Sequence, residues 1–161
     1  MSEKGMEILK QVEELRLKPY DDQTRKEIDA WTVGATIGYG HLILKGEWTT
    51  YKAGISEPDA CKLFDRDLAP FVRVVREQVT AKVSQNEFDA MAILAFNIGA
   101  PSFSASSVRK LVNNPSAKTN YANLEAAWKA WNKSQGKVMK GLDNRRNCEW
   151  NIFSKGIYVR W

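Results

Sequence analysis

The 161-residue sequence predicts an α+β protein, mainly helical, with a small antiparallel β-sheet lobe and a larger helical lobe. Three observations carry this. Residues 4–14 have apolar side chains at helical spacing, the helical period disappears from Pro19 to about Leu44, and it returns from Ser56 onward. One domain is expected over residues 1–161. Its small β lobe spans about 15–55, and its helical lobe spans about 56–161 plus the N-terminal helix.

In the first helix Met6, Ile8, Leu9 and Val12 share one arc, with Glu7, Lys10 and Gln11 outside it. The turn residues "PYDD" and the run "AWTVGATIGYGHLI" predict the strands. Helix resumes at "SEPDACKLFDRDLAPFVRVVREQV", with Ser56 placed to cap it and Asp59 in the capping-box position. Pro70 should kink that segment or split it. "QNEFDAMAILAFNIG" is apolar nearly all round and predicts the central helix of the larger lobe, ended by Gly99 and Pro101. "SASSVRKLVNN", "YANLEAAWKAWNK" and "GLDNRRNCEWNIF" predict three further helices.

The apolar share of 43% and charged share of 27% are those of an ordinary globular protein. A net charge of +5 suits an anionic partner such as nucleic acid, anionic lipid or an acidic polymer. Charged residues at the start of the chain leave no secretory apolar run, and "AMAILAF" is too short to span a bilayer. The protein is therefore expected in the cytoplasm, without stable membrane insertion. Cys61 and Cys148 are far apart with no CxxC, which predicts two reduced, part-buried thiols. With a single histidine there is no metal-ligand constellation.

Candidate chemistry concentrates in "EELRLKPYDDQTRKEIDAWTVGATIGYGH", residues 13–41. Glu13 falls inside the apolar arc of the first helix. Glu14 falls outside it, where it could pair with Lys10. A carboxyl on the buried face loses water, which favours its protonated, proton-donating form. Asp21 suits a turn residue bonding its own backbone. Thr32 and Thr36 have the same strand parity, so alternation does not separate them.

Several motifs go further. "EELRLKPYDD", "TIGYGH", "EPDACKLFDRDL", "QNEFDAMAILAFNIGAPSFSASSVRKLVN" and "GLDNRRNCEW" occur in this order over roughly residues 6–153. Together they resemble the phage lysozymes, or endolysins, of glycoside hydrolase family 24, of the T-even and lambdoid phage type. The resemblance implies a lysozyme-like fold with two lobes flanking a cleft. It also implies a muramidase that hydrolyses the β-1,4 bond between N-acetylmuramic acid and N-acetylglucosamine in peptidoglycan. Carried over residue by residue, the catalytic Glu is Glu13, with Glu14 standing where the family has Gly. The Asp of Tyr-x-Asp is Asp22, preceded by Tyr20. The Thr followed by Ile-Gly-Tyr-Gly-His is Thr36 rather than Thr32, although "WTVG" imitates a family motif. Gly38 and Gly40 would leave room on the face of Thr36 for sugar or water. The segment between Asp22 and Thr36 is longer than in the family.

In this pattern Glu13 is the general acid of an inverting glycosidase, and Asp22 and Thr36 hold the attacking water. No cofactor is implied. The partners implied are peptidoglycan glycan strands, not nucleic acid, and a separate holin that releases a monomeric enzyme from the host cytoplasm to the cell wall. His41 reads as a structural residue; the resemblance places it close to the first long helix, where Asp67 is the best candidate partner because Asp65, two positions away, points in another direction. Asn97 in "FNIG" either satisfies backbone groups or lines the cleft. Arg145 matches the family arginine that approaches the catalytic Glu, against the alternative of a surface arginine. Trp128, Trp131 and Trp150 read as core, and the tail "KGIYVRW" as packed on the helices. A non-catalytic basic binding protein explains the charge but not Glu13, Asp22 and Thr36 together. A lytic transglycosylase has no use for Asp22.

Overall fold

The structure, a computed structural model, describes residues 1–160. They form two compact units, Lys10–Ala69 and Met1–Leu9 with the chain from Pro70 onward. The first helix, α1 (Glu3–Glu13), contributes Ile8 and Leu9 to the core of its own unit and ends in the other. Among the described residues no helix is long and apolar enough to cross a membrane.

The Lys10–Ala69 unit is built on a three-stranded antiparallel sheet of β1 (Arg16–Asp21), β2 (Ala35–Gly38) and β3 (His41–Leu42), in that order. Tyr20 pairs with Thr36 and Asp21 with Ala35, and Thr36 pairs in turn with Leu42. Alternation along β2 and β3 sends Ala35, Ile37 and Ile43 into a core with Leu63, covered by Ile28, Trp31, Trp48, Tyr51 and Ile55. The Trp31 indole N–H donates to the Ile43 carbonyl at 2.9 Å, so this large ring is half-buried with its polar atom satisfied.

The strand is shorter than "AWTVGATIGYGHLI" predicts. Thr32 lies in a turn closed by the Ala35 N–H on its carbonyl at 3.1 Å, and Val33 is 81% exposed. Val33 has β propensity but no apolar face to cover it, so tertiary context overrides propensity. A short 3₁₀ turn (Lys45–Glu47) and α2 (Trp48–Tyr51) follow.

Helix α3 (Glu57–Gln78) begins as predicted: the Ser56 hydroxyl bonds Asp59 Oδ2 at 2.6 Å and accepts the Asp59 N–H at 3.3 Å. Pro70 does not split it. One missing intrahelical N–H is a local cost that a 22-residue helix carries, and the boundary between the two units falls at this proline.

The other unit centres on α4 (Gln85–Ile98), whose residues Asp89–Ala95 are buried. Glu87 closes a capping box on Ser84, accepting its N–H at 2.7 Å. Gly99, at φ 89°, ends α4; α5 (Ala100–Ala105) follows with Pro101 in its first turn, and then α6 (Ser107–Asn113). The helix predicted over "YANLEAAWKAWNK" is confined to α7 (Leu124–Lys129), capped by Asn123. Beyond it the chain makes a hairpin of β4 (Lys133–Ser134) and β5 (Lys137–Val138), not a helix. Gln135 and Gly136 both have positive φ, the two-residue turn that matches strand twist.

The last helix, α8 (Lys140–Lys155), packs on α4 and α7. Asn86 donates to the Ile152 and Phe153 carbonyls at 3.0 and 2.9 Å, satisfying acceptors at its C-terminal end. Trp128 is fully buried, with Trp150 and Phe153 against it at 6.0 and 5.1 Å between ring centroids; Trp131 and Trp150 are only half-buried. The tail packs as expected through Tyr158, whose hydroxyl donates to the buried Asp89 at 2.7 Å; Trp161 lies outside the described residues.

Candidate active site

Glu13, Asp22 and Thr36 all lie in the Lys10–Ala69 unit. Glu13 is the last residue of α1 and is half-buried. The chain leaves the helix through Glu14, whose φ of 54° is left-handed. Glycine takes this position at low cost, and a non-glycine residue there costs roughly 1–2 kcal/mol. Glu14 therefore makes the turn that the family glycine implies. Its side chain is exposed and bonds Arg25 at 2.8 Å, with Arg16 at 3.8 Å, rather than Lys10.

Glu13 faces the glycine-rich turn after β2. A Cβ at Gly40 would lie 3.9 Å from Glu13 Oε2 and would meet no other atom as near. Gly38 behaves differently from expectation. It is buried, and a Cβ there would face Ile55, Ala60 and Leu63 at 3.6–3.8 Å, so it opens onto packed side chains. Tyr20 is buried beneath the Arg16 and Arg25 guanidiniums, 4.9 and 5.1 Å from its ring centre. Burial pushes its hydroxyl above the ordinary value; Arg25 and Arg16 oppose the rise, and the Glu13 charge adds to it.

Asp22 and Thr36 meet at one atom. The Gly34 carbonyl accepts the Asp22 N–H at 3.1 Å and the Thr36 hydroxyl at 2.9 Å. Thr36 is 5% exposed, and its single hydroxyl hydrogen is committed to that carbonyl. The lone pairs of Oγ1 are thereby left to accept a hydrogen from another group. Asp21 is the turn residue predicted. Its carboxylate accepts the Thr24 and Gln23 N–H groups at 2.7 and 2.9 Å, and these bonds hold it below the usual carboxylate range.

The residues expected to support the site divide between the units. His41 Nδ1 meets Asp67 Oδ2 at 2.7 Å, tying β3 to α3, with the Tyr51 ring edge-on at 5.4 Å. Asn97 and Arg145 belong to the other unit. Asn97 is exposed and accepts from Arg146 Nη2 at 2.7 Å, so its partner is a side chain and not the backbone. Arg145 is not a surface residue: it is buried, with Nε 3.2 Å from Glu149 Oε1.

Sequence reasoning passed over Arg146 and Glu149, both completely buried. Their signal is the i, i+3 and i, i+4 spacing of "RRNCE" on one helix face. Cys61 and Cys148 are free, half-buried thiols, as predicted.

Comparison with known proteins gives a consistent answer. The endolysin of Bacillus phage PZA is 34% identical over 97% of this chain and 55% of its own length, so the chain spans about half of that relative. The endolysin of Acyrthosiphon pisum secondary endosymbiont phage 1 is 30% identical over 95% of this chain and 97% of that protein. Among solved structures, an endolysin from Escherichia coli O157:H7 phage FAHEc1 superposes with a TM-score of 0.80 at 29% identity, covering 99% of this chain and 96% of that one. Residues 10–149 match the Phage lysozyme family, and the chain belongs to it.

Proposed function

We propose that the chain is a muramidase, a glycoside hydrolase that cleaves the β-1,4 bond between N-acetylmuramic acid and N-acetylglucosamine in peptidoglycan with inversion. The observation that carries this reading is the shared acceptor of Asp22 and Thr36, within the same unit as Glu13. Two relatives that carry the name endolysin, one matched over nearly its whole length, support it.

In this mechanism Glu13 donates its proton to the glycosidic oxygen as the C–O bond breaks. A water attacks the anomeric carbon from the opposite face and passes a proton to Asp22. Inversion requires the two carboxyls to stand roughly 6.5–9.5 Å apart, leaving room for that water. Thr36 accepts a hydrogen bond from the water's second O–H, because its own hydrogen is held by Gly34. With both hydrogens held, the water's lone pairs are aimed rather than free to rotate, which is the proximity advantage of a bound nucleophile. Tyr20 and Gly38 shape the sheet beneath this site. His41, in the same unit, supports it through its bond to Asp67.

In the cell the enzyme acts as a monomer on wall glycan strands during host lysis. It reaches them from the cytoplasm once a separate holin opens the membrane. The test is a turbidity assay on outer-membrane-permeabilised cells. Glu13→Gln, nearly isosteric but unable to donate the proton, is expected to abolish lysis with its circular dichroism unchanged. Glu14→Gln is expected to keep most activity. An active Glu13→Gln variant overturns the assignment of the acid.

A further inference from the structure

We propose that Gly34 is a positioning residue for the attacking water, and that the long 23–35 segment exists in this chain to deliver it. The proposal rests on the reading of Asp22 and Thr36 given above. Gly34 touches both through different atoms. Its carbonyl fixes Thr36 Oγ1 and the Asp22 backbone N–H. Its missing side chain leaves the space that the Asp22 carboxylate fills: a Cβ on Gly34 would lie 2.5 Å from Asp22 Oδ1 and 3.3 Å from Asp22 Cγ. Oδ2 is 3.9 Å from the same point and is set farther off. Gly34 also has φ 91°, a conformation that other residues rarely adopt.

The segment is folded to bring this glycine into place. Its first part turns tightly on Asp21, which accepts the Gln23 and Thr24 N–H groups, and Asp21 N–H donates to the Lys26 carbonyl at 2.9 Å. Glu27 then bridges back to Tyr20, and the Ile28 N–H donates to the Pro19 carbonyl at 3.1 Å. Arg25 reaches back to Glu14, and Trp31 anchors the return through the Ile43 carbonyl. The chain thus leaves β1 after Asp21, makes a closed excursion, and enters β2 after Gly34, which lies against Asp22. The "WTVG" glycine is part of the site, although its threonine is not.

An ordinary contact between a Cβ and a carboxylate oxygen is about 3.4 Å or more. A methyl group on Gly34 therefore moves Oδ1 by about 1 Å, or rotates the carboxylate away. A misplacement of about 1 Å costs on the order of 100-fold in rate.

The experiment measures kcat, KM and melting temperature on soluble peptidoglycan fragments for wild type, Gly34→Ala, Asp22→Ala and the double variant, with Gly136→Ala as control. Gly136 also has positive φ, at 78°, but a Cβ there meets nothing within 4 Å. Gly34→Ala is expected to lose about 100-fold in kcat with KM unchanged. In the Asp22→Ala background the same substitution should cost no further kcat, because the oxygen it displaces is gone. Its backbone strain, and with it the loss of melting temperature, should persist there. Gly136→Ala should lose melting temperature without losing kcat.

Equal kcat losses from Gly34→Ala in both backgrounds, or none in either, overturn the positioning role while leaving Asp22 as a catalytic residue. A fully active Asp22→Ala variant instead overturns the underlying reading, and the proposal with it. Should Gly34→Ala fail to fold, the double variant is expected to fold, since the clash is removed. A double variant that stays unfolded overturns the proposal.

Discussion

Replacing Glu149 by alanine is expected to be among the most damaging single changes in the protein, although Glu149 is far from the proposed chemistry in sequence. Glu149 is completely buried and accepts three bonds: from Trp128 Nε1 at 3.0 Å, Arg145 Nε at 3.2 Å and Arg146 Nη2 at 2.8 Å. Burial pushes its carboxyl above the ordinary range, while the two arginines and the indole pull it back. Truncation leaves the buried Arg146 guanidinium without its carboxylate and strands an indole N–H. Breaking a buried ion pair in this way costs about 3–5 kcal/mol. At roughly 2–4 °C per kcal/mol for a chain of this size, the melting temperature should fall by about 6–20 °C. Urea unfolding at neutral pH reads the loss directly, and Arg146→Met with Glu149→Leu should recover part of it by removing both buried charges. A Glu149→Ala variant within about 1 kcal/mol of wild type would refute the reasoning, because a fully desolvated pair cannot lose one partner so cheaply.

Thr36→Val should lower kcat by about 100-fold or more with little change in KM, while Thr36→Ser retains most of it and Thr32→Ala is nearly silent; steady-state kinetics on soluble wall fragments ranks the three. His41→Asn should destabilise the protein by about 1–3 kcal/mol in thermal melts, since it breaks the part-buried bond to Asp67. Burial and the Asp89 carboxylate push the Tyr158 hydroxyl from 10.0 up to about 12. Its contribution to stability is therefore fully present below about pH 10 and is lost as pH rises towards about 12. Wild type should lose more stability than Tyr158→Phe between those values, and equal losses in urea unfolding would exclude the Tyr158–Asp89 bond as the source.

Much of this architecture is legible in the sequence because it depends on period and on local chemistry. The arc of Ile8 and Leu9, the Ser56 cap and the apolar run of α4 each announce a helix without tertiary help. Glu13 is marked both by its place on that arc and by the motif that follows it.

What stays hidden depends on contacts between distant residues, or on φ angles that composition does not reveal. Glu14 occupies a glycine-like conformation, and its side chain pairs with Arg25, 11 residues later. Gln135 turns a hairpin in the stretch between two predicted helices, where no strand is expected. Gly34 looks like part of a displaced motif until its carbonyl is seen to serve both Asp22 and Thr36. Thr32 and Thr36 share a parity in sequence, but a turn at Thr32 removes it from the strand altogether.

The most direct test of the Glu13–Asp22 mechanism is the configuration of the newly formed reducing end, followed by proton NMR within the first minutes of hydrolysis of a soluble peptidoglycan oligomer. Attack by a water held at Asp22 and Thr36, opposite the leaving group, yields the α-anomer first, with the β-anomer growing in only by mutarotation. A β-anomer formed first would contradict that geometry and require a covalent or retaining route. A 1,6-anhydro product would leave Asp22 and Thr36 with no water to hold.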